Sequence, residues 1–365
     1  MNRRWPIGPL LPLAPLLGLL MAACSGGPRP VARKDGVALP GDVDAAGLVH
    51  HDGGLIVGGT ARAAADLGQT PLTPGPGGLV VALDKNLNAM WGAGLGGGKV
   101  VVRAFAPGPG GDVVFAAQFQ GAFGGGGTLI KSHGKTDCVV GRMSAQGNVR
   151  WATRIGGGGE DDCPGLTATE DAVFVAGTFG PLLVEPELAG IGGRDAFVVR
   201  LDADGAIQGA VAFGGPGDEV VTGMALKGTV LAVVGTFTAD FQAKFTPLNV
   251  PLQGPGGFIV GVDVDPTLRW GRVVGRAHTV PAAVVGTVDR AWVVAGSQKG
   301  AGFISRLDKG GNPQWRQDLS GWTAANALAM DGSDVLVAGA ARGLAIRRLT
   351  SAGEAVEDYR CGDGT

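Results

Sequence analysis

Four cysteines, four histidines and one run of three carboxylates carry most of the chemistry this chain could perform. Nucleophilic or metal chemistry needs such groups converging on a base or on further ligands. The histidines, His50, His51, His133 and His278, fall in no nucleophile motif with a Ser or Cys, and the chain has no Cys-x-x-Cys pair. His50-His51 precedes a Gly-Gly turn and reads as solvated. The run Glu160-Asp161-Asp162 follows four glycines, Gly156–Gly159. Those glycines match a phosphate cradle only in composition, because the Lys-Ser/Thr and the following helix are missing. Asp202-Ala-Asp-Gly205 begins as a calcium loop does, but it lacks the downstream Glu and the ligand count. It reads as a hairpin turn. These residues imply no metal and no cofactor. What remains is a set of thiols: Cys24, Cys138, Cys163 and Cys361.

Something has to position these groups, and the chain between them repeats. The stretch Asp137–Trp151 is an apolar strand, a polar turn and a second strand opening on tryptophan. Near-copies stand at Gly78–Trp91, Asp195–Gly209, Gly257–Trp270, Gly302–Trp315 and, worn down, Gly343–Val356. Alternating with them are apolar strands ending in small residues, such as Leu55–Thr60, Val173–Thr178 and Leu231–Thr236, each preceded by a weaker apolar run. One unit therefore holds four strands, A to D. Polar and Gly turns join A to B and C to D as tight hairpins. Trp91, Trp151, Trp270 and Trp315 share one register and are expected to pack between neighbouring sheets. The small residues of the B strands read as room for backbones crowded near an axis.

The markers Gly59, Ala117, Gly177, Gly235, Gly296 and Gly339 count six units. Glycine is 68 of 365 residues, far above the usual share. With a period present, those glycines are turn residues of a strand-rich fold. No stretch keeps a capped 3.6-residue rhythm, so almost no helix is expected. Four-stranded units of this length, repeated six times, predict an all-β chain: a six-bladed β-propeller of four-stranded antiparallel blades over residues 42–365.

Three segments carry a family resemblance. Asp195–Gly205, Ile155–Asp162 and Phe174–Thr178 resemble the SBBP-type bacterial β-propeller repeat. Its pattern is a D-x-F-V-A-K-L-D-x-x-G-N strand and turn, a G-G-x-x-x-D loop and a Y-V-x-G-x-T strand. The resemblance covers nearly the whole chain after the N-terminal segment. It implies architecture and a secreted or surface protein, and says little of activity. Units five and six depart from it, having lost the G-G-x-x-x-D loop.

Strand direction sorts the loops. All B–C and D–A connections fall on one face, called here the loop face, and all tight hairpins fall on the opposite, hairpin face. Units one to four carry long B–C insertions, Ala61–Gly77, Gly121–Thr136, Gly180–Arg194 and Thr238–Gly256, whereas units five and six carry almost none. Apolar residues and paired glycines recur in these insertions, as expected of ordered lids over blade edges. A recognition surface is the other reading. Cys138 opens strand C of unit two, and Cys163 follows strand D back to the same level, so a Cys138–Cys163 disulfide is expected in an oxidising compartment. Glu160, Asp161 and Asp162 also lie on the loop face. They are candidates for a weak Ca²⁺ or carbohydrate contact, but the plainer reading is a solvated charge run.

The N-terminus gives an address. Arg3 and Arg4 precede an apolar run, Leu10–Met21, that is too short to span a bilayer and is interrupted by Pro12 and Pro15. Residues 1–23 read as a secretory signal peptide. Leu20-Met-Ala-Ala-Cys24 resembles the lipobox of bacterial lipoproteins, departing from it at Met21. The resemblance implies acylation of Cys24, a proline-containing tether over residues 24–41, and a membrane held through the N-terminal lipid. Ser25, in place of an inner-membrane retention aspartate, implies the outer membrane. Plain secretion with Cys24 as a free thiol is the alternative. With 30 Lys and Arg against 32 Asp and Glu, the chain offers no basic face for nucleic acid.

The expected function is a non-catalytic envelope lipoprotein whose propeller binds or scaffolds another macromolecule, in the envelope or outside the cell. A second reading is an assembly scaffold, since Val81-Ala-Leu-Asp84 to Trp91 resembles the docking strand of quinoprotein-type outer-membrane propellers. Asn86-Leu87-Asn88 stands where their Thr-Gly is expected, and those propellers usually have eight blades. A secreted propeller enzyme is the third.

Overall fold

Alternating apolar and polar residues between glycine turns make short antiparallel strands, and the described residues fold into 28 of them with one short 3-10 turn. The computed structural model describes residues 43–361, apart from 52–53, 63–76, 87, 97–98, 126, 241–251, 276 and 342–343. The segments expected to be a signal peptide and a tether, with Cys24, lie outside the described residues, as does most of the first and fourth insertions.

Blade one comprises β1 (Val43–His51), β2 (Gly54–Ala61), β3 (Gly77–Leu83) and β4 (Ala89–Leu95). Blade two runs β5 (Lys99–Pro107), β6 (Val113–Gln120), an inserted hairpin β7 (Ala122–Gly125) and β8 (Thr128–Lys131), then β9 (Asp137–Met143) and β10 (Val149–Gly157). Blade three runs β11 (Asp162–Ala168), β12 (Ala172–Phe179), a second inserted hairpin β13 (Leu182–Glu185) and β14 (Glu187–Ala189), then β15 (Asp195–Asp202) and β16 (Ile207–Phe213). Blade four is β17 (Glu219–Lys227), β18 (Val230–Phe237), β19 (Gly256–Asp263) and β20 (Leu268–Gly275). Blade five is β21 (Thr279–Gly286), β22 (Trp292–Gln298), β23 (Ala301–Leu307) and β24 (Pro313–Leu319). Blade six is β25 (Ala324–Asp331), β26 (Asp334–Ala340), β27 (Leu344–Leu349) and β28 (Ala355–Cys361). Each blade pairs in the order A-B-C-D. Consecutive A strands from β1 to β25 pack on one another, so they line the axis. The fold is a six-bladed β-propeller.

The tryptophans sit where their register places them. Trp91, Trp151 and Trp315 each donate an indole N–H to a carbonyl in the next blade's C–D turn, Ala145, Ala203 and Ser351. They lie over that turn's glycine, Gly147, Gly205 or Gly353, and Trp270 lies over Gly311 in the same way. All four glycines have positive φ, so a flat ring meets a backbone without a Cβ. Blade three has Gly209 at this position, and Pro266 of the next turn fills the space.

The B-strand glycines have a cause other than axial crowding. Each A strand bulges at one point: Ala45/Gly47, Val102/Ala104, Asp162/Gly165, Val221/Gly223, Pro281/Ala283 and Ala325/Ala327. The bulge pushes a backbone carbonyl against the B strand. A Cβ at Gly59, Gly177, Gly235, Gly296 or Gly339 would collide with the carbonyl of Asp44, Asp162, Val220, Val280 or Ala324. Crowding comes from within the blade, through one extra residue per A strand.

Five buried apolar clusters each span two adjacent blades, from one–two to five–six. At the seam between blades six and one, the inner strands β25 and β1 lack the packing of the other five pairs. Ala45 and Leu48 are exposed there, whereas their counterparts Val102, Val221, Pro281 and Ala325, and Phe105, Leu166 and Val284, are buried. Among the described residues both terminal blades are built from their own consecutive strands, and no strand exchange ties this seam.

Candidate functional site

The described insertions fold back toward the preceding blade. The β13–β14 hairpin adds to the outer strand β10 of blade two and makes a six-stranded sheet. The β7–β8 hairpin packs on β10 and on β4 of blade one. Arg154, only 9% exposed, clamps the two together. Its guanidinium donates to the Lys131 carbonyl at the end of β8 (2.9 Å) and pairs with Glu185 at the end of β13 (2.8 Å). Its Nε lies 3.7 Å from Asp137.

The acidic run is not a solvated cluster, because its three members part company. Glu160 is exposed and pairs with Lys135. Asp162 pairs with Arg103 at 2.7 Å, and Arg103 also donates to Gln118. Asp161 is fully buried and accepts the backbone N–H groups of Gly157 and Gly180. A short loop crossing between blades leaves those amides without strand partners, and the carboxylate satisfies them. Burial pushes its pKa up to about 6, helped by the Asp137 charge and opposed by the amides and by Arg194. The three side chains do not converge on a common ligand position.

The structure adds residues that sequence reasoning missed. Asp137 and Asp195 open strand C of blades two and three and are both fully buried. Each accepts the amide four residues upstream, of His133 or Ile191. Asp161 and Glu219 stand at matching places where the following D–A connections meet the next A strand. Two buried carboxyl pairs therefore sit on the loop face, Asp137 with Asp161 and Asp195 with Glu219. The first has Arg154 beside it. The second has Ala212 at that position. Glu219 accepts the Gly215 amide, and apart from each other Asp195 Oδ1 and Glu219 Oε1 meet no hydrogen-bonding partner. A Cβ on Gly214 would strike both carboxyls, so this glycine makes room for the pair. Burial raises Glu219 to about 7, with Asp195 and Asp218 adding to it. Burial also raises Asp195, while the Ile191 and Gly192 amides and its hydrogen bond with Glu219 work the other way. Their mutual hydrogen bond raises Glu219 and lowers Asp195. The equal spacing from Asp137 to Asp161 and from Asp195 to Glu219 was the available signal.

Asp202 behaves as a turn pivot. It accepts the Asp204 and Ala206 amides and the Gln208 side chain, which together hold its carboxyl below the usual range. Asp84 and Asp308 repeat the arrangement. At the loop-face mouth of the axis, equivalent A-strand positions carry Asp44, Val101, Asp162, Val220, Val280 and Ala324. The two acids there are paired, Asp44 with Arg62 and Asp162 with Arg103. Among the described residues, no group of three or more His, Cys, Asp and Glu could hold a metal.

Cys138 and Cys163 are bonded, with Cα atoms 6.0 Å apart, and both are buried. The bond joins blade two to the first strand of blade three. In the chain-entropy account a loop of this length is worth about 3 kcal/mol. The Cys138→Ser/Cys163→Ser variant should lose about that much in urea unfolding, and reductant should then change nothing further. An equal loss in both proteins on adding reductant would place the effect elsewhere.

No family model matches the chain, and no curated protein matches it. Solved structures do. Virginiamycin B lyase from Staphylococcus aureus is 13% identical at a TM-score of 0.55, over 87% of this chain and 85% of that one. Prolyl oligopeptidase B from Galerina marginata is 8% identical at 0.50, over 90% of this chain and 44% of that longer one. A protein of unknown function from Bacteroides caccae is 9% identical at 0.45, over 78% and 90%. At such identities the likeness shows the fold alone: in the course of its backbone this chain is similar to β-propeller proteins of differing activity.

Proposed function

We propose that this chain is an exported lipoprotein of the SBBP repeat type, acylated at Cys24 and held at the outer membrane. Its propeller serves as a non-catalytic scaffold that binds another macromolecule through the loop face. The observation that carries this reading is the asymmetry of the insertions. They rise from four adjacent blades on one face, and those described in full are ordered hairpins on a rigid support, the usual setting of recognition. The axial residues support it too: the mouth is mainly valine and alanine, and its acids are already paired. The assembly-scaffold reading differs only in its partner. A propeller enzyme is favoured by one feature, the Arg103–Asp162–Gln118 network on the inner strands.

Replacing Cys24 with Ala should release the protein from outer-membrane fractions. A photo-crosslinker at exposed Glu187, on the loop-face insertion, should give discrete adducts in cells. The same group at Gln146, on a hairpin-face turn, should give none. Adducts from Gln146 alone would overturn the choice of face, and retention of the Cys24→Ala chain would overturn the anchor.

A further inference from the structure

We infer that the two inserted hairpins of blades two and three form a lipid-contacting rim that seats the loop face on the bilayer surface; this rests on the lipid-anchored reading above. Each hairpin divides its side chains between two sides. In β7–β8, Phe123 pairs with Ile130, and Phe123 is buried. The neighbouring pair, Gly124 with Leu129, faces outward, and Leu129 is 65% exposed. In β13–β14, Leu183 pairs with Leu188 against the core. Leu182 pairs with Ala189 on the other side, followed by Val184, and these two large side chains are 46% and 47% exposed. Ile191, just beyond β14, is 54% exposed.

Single exposed apolar side chains need no explanation. Three of these four stand on two hairpins that Arg154 ties together, and Ile191 follows the second. The hairpins bury their inner side chains and still spend their outer ones on water. Such a patch marks an interaction surface.

The course of the chain selects the occupant. β1 runs from the loop face toward the hairpin face, so residues 24–42, which lie outside the described structure, join the propeller on the side of the exposed rim. Eighteen residues after Cys24 reach at most about 60 Å. A lipid at Cys24 therefore keeps the rim within reach of the bilayer at all times, and at such effective concentrations a weak apolar contact suffices. Exposed Lys131 ends the first hairpin, where a cation meets anionic headgroups. Glu160 pairs with Lys135 and Arg154 holds Glu185, so the exposed carboxylate that remains on these hairpins is Glu187.

The test reads water exposure at the rim. Acylated full-length protein carrying Cys361→Ser and Leu182→Cys, labelled with a nitrobenzoxadiazole dye, is reconstituted on phosphatidylethanolamine–phosphatidylglycerol vesicles. Val288→Cys, 69% exposed in a hairpin-face turn, is the control. Emission at 182 should rise several-fold, shift to the blue and be quenched by spin-labelled lipid, while 288 stays unchanged. Adding Leu129→Asp and Val184→Asp should abolish the rise without moving the thermal midpoint. Emission at 182 equal to that at 288, with protein still on the vesicles, would overturn the rim and leave the anchor standing. So would a rise that needs added envelope protein. If the protein does not stay on the vesicles, the anchor reading fails instead. The same dye is then read on the Ser25–Thr365 chain held by an N-terminal hexahistidine on nickel-chelating lipid, where shielding at 182 supports the rim and exposure overturns it.

Discussion

The protein should lose stability as pH rises from about 5 to about 7.5, the reverse of what paired surface carboxylates produce. Glu219 and Asp161 are fully buried, with pKa values raised to about 7 and about 6. A raised acid binds its proton more tightly in the folded state than in the unfolded chain. Its stabilisation is complete below the unfolded pKa, near 4, and is lost as pH climbs through the folded one. For Glu219 the span corresponds to about 3 kcal/mol. The charged neighbours that act most on Glu219 push the same way: Asp195 and Asp218 are acids, and Ala212 stands where blade two has Arg154. Glu219→Gln keeps a donor toward Asp195 and has no proton to lose. Its urea midpoint should fall about half as steeply between pH 5 and 7.5, and above pH 7.5 it should match or exceed the wild type. An unchanged slope would mean that Glu219 ionises freely in the fold. Below pH 4 the turn acids Asp84, Asp202 and Asp308, whose hydrogen bonds hold them ionised, lose their contribution in the ordinary direction.

Gly177→Ala should destabilise the protein by about 2–4 kcal/mol, more than most overpacking changes, because two hard surfaces meet the new methyl. One is the Asp162 carbonyl pushed inward by the bulge, and the other is the ring of Phe197, which pairs directly across from Gly177. Blade two shows the compensated form, with Ala117 opposite Val139. Phe197→Val alone should cost about 2 kcal/mol as a cavity. The double variant should lose clearly less than the two single losses together, since contacting residues couple. Strict additivity in chemical unfolding would show that the methyl and the ring never meet. Gly235 with Phe258 and Gly296 with Phe303 should follow the same rule.

Much of this architecture is legible in the residues because a blade is a local object. Its hairpins are set by turn residues a few positions apart, and Trp91, Trp151, Trp270 and Trp315 mark one register in four of the six copies. The B-strand glycines were legible as small but not for the right reason, because a bulge is a relation between two strands and leaves no letter of its own. The acidic run misled in a similar way. Consecutive charges look solvated, yet in an extended loop neighbouring side chains point in different directions. Asp161 turned inward to unsatisfied amides while Glu160 and Asp162 turned out.

By itself, the order of amino acids determined the blade count, the strand order within each blade and the face from which the insertions rise, since all three follow from periodicity and chain direction. Tertiary structure alone decided that Asp195 meets Glu219, that Arg154 joins two hairpins, and that one seam of the ring is loosely packed. Those are contacts between segments dozens of residues apart or at opposite ends of the chain, and their burial and charge balance exist only once the blades stand side by side.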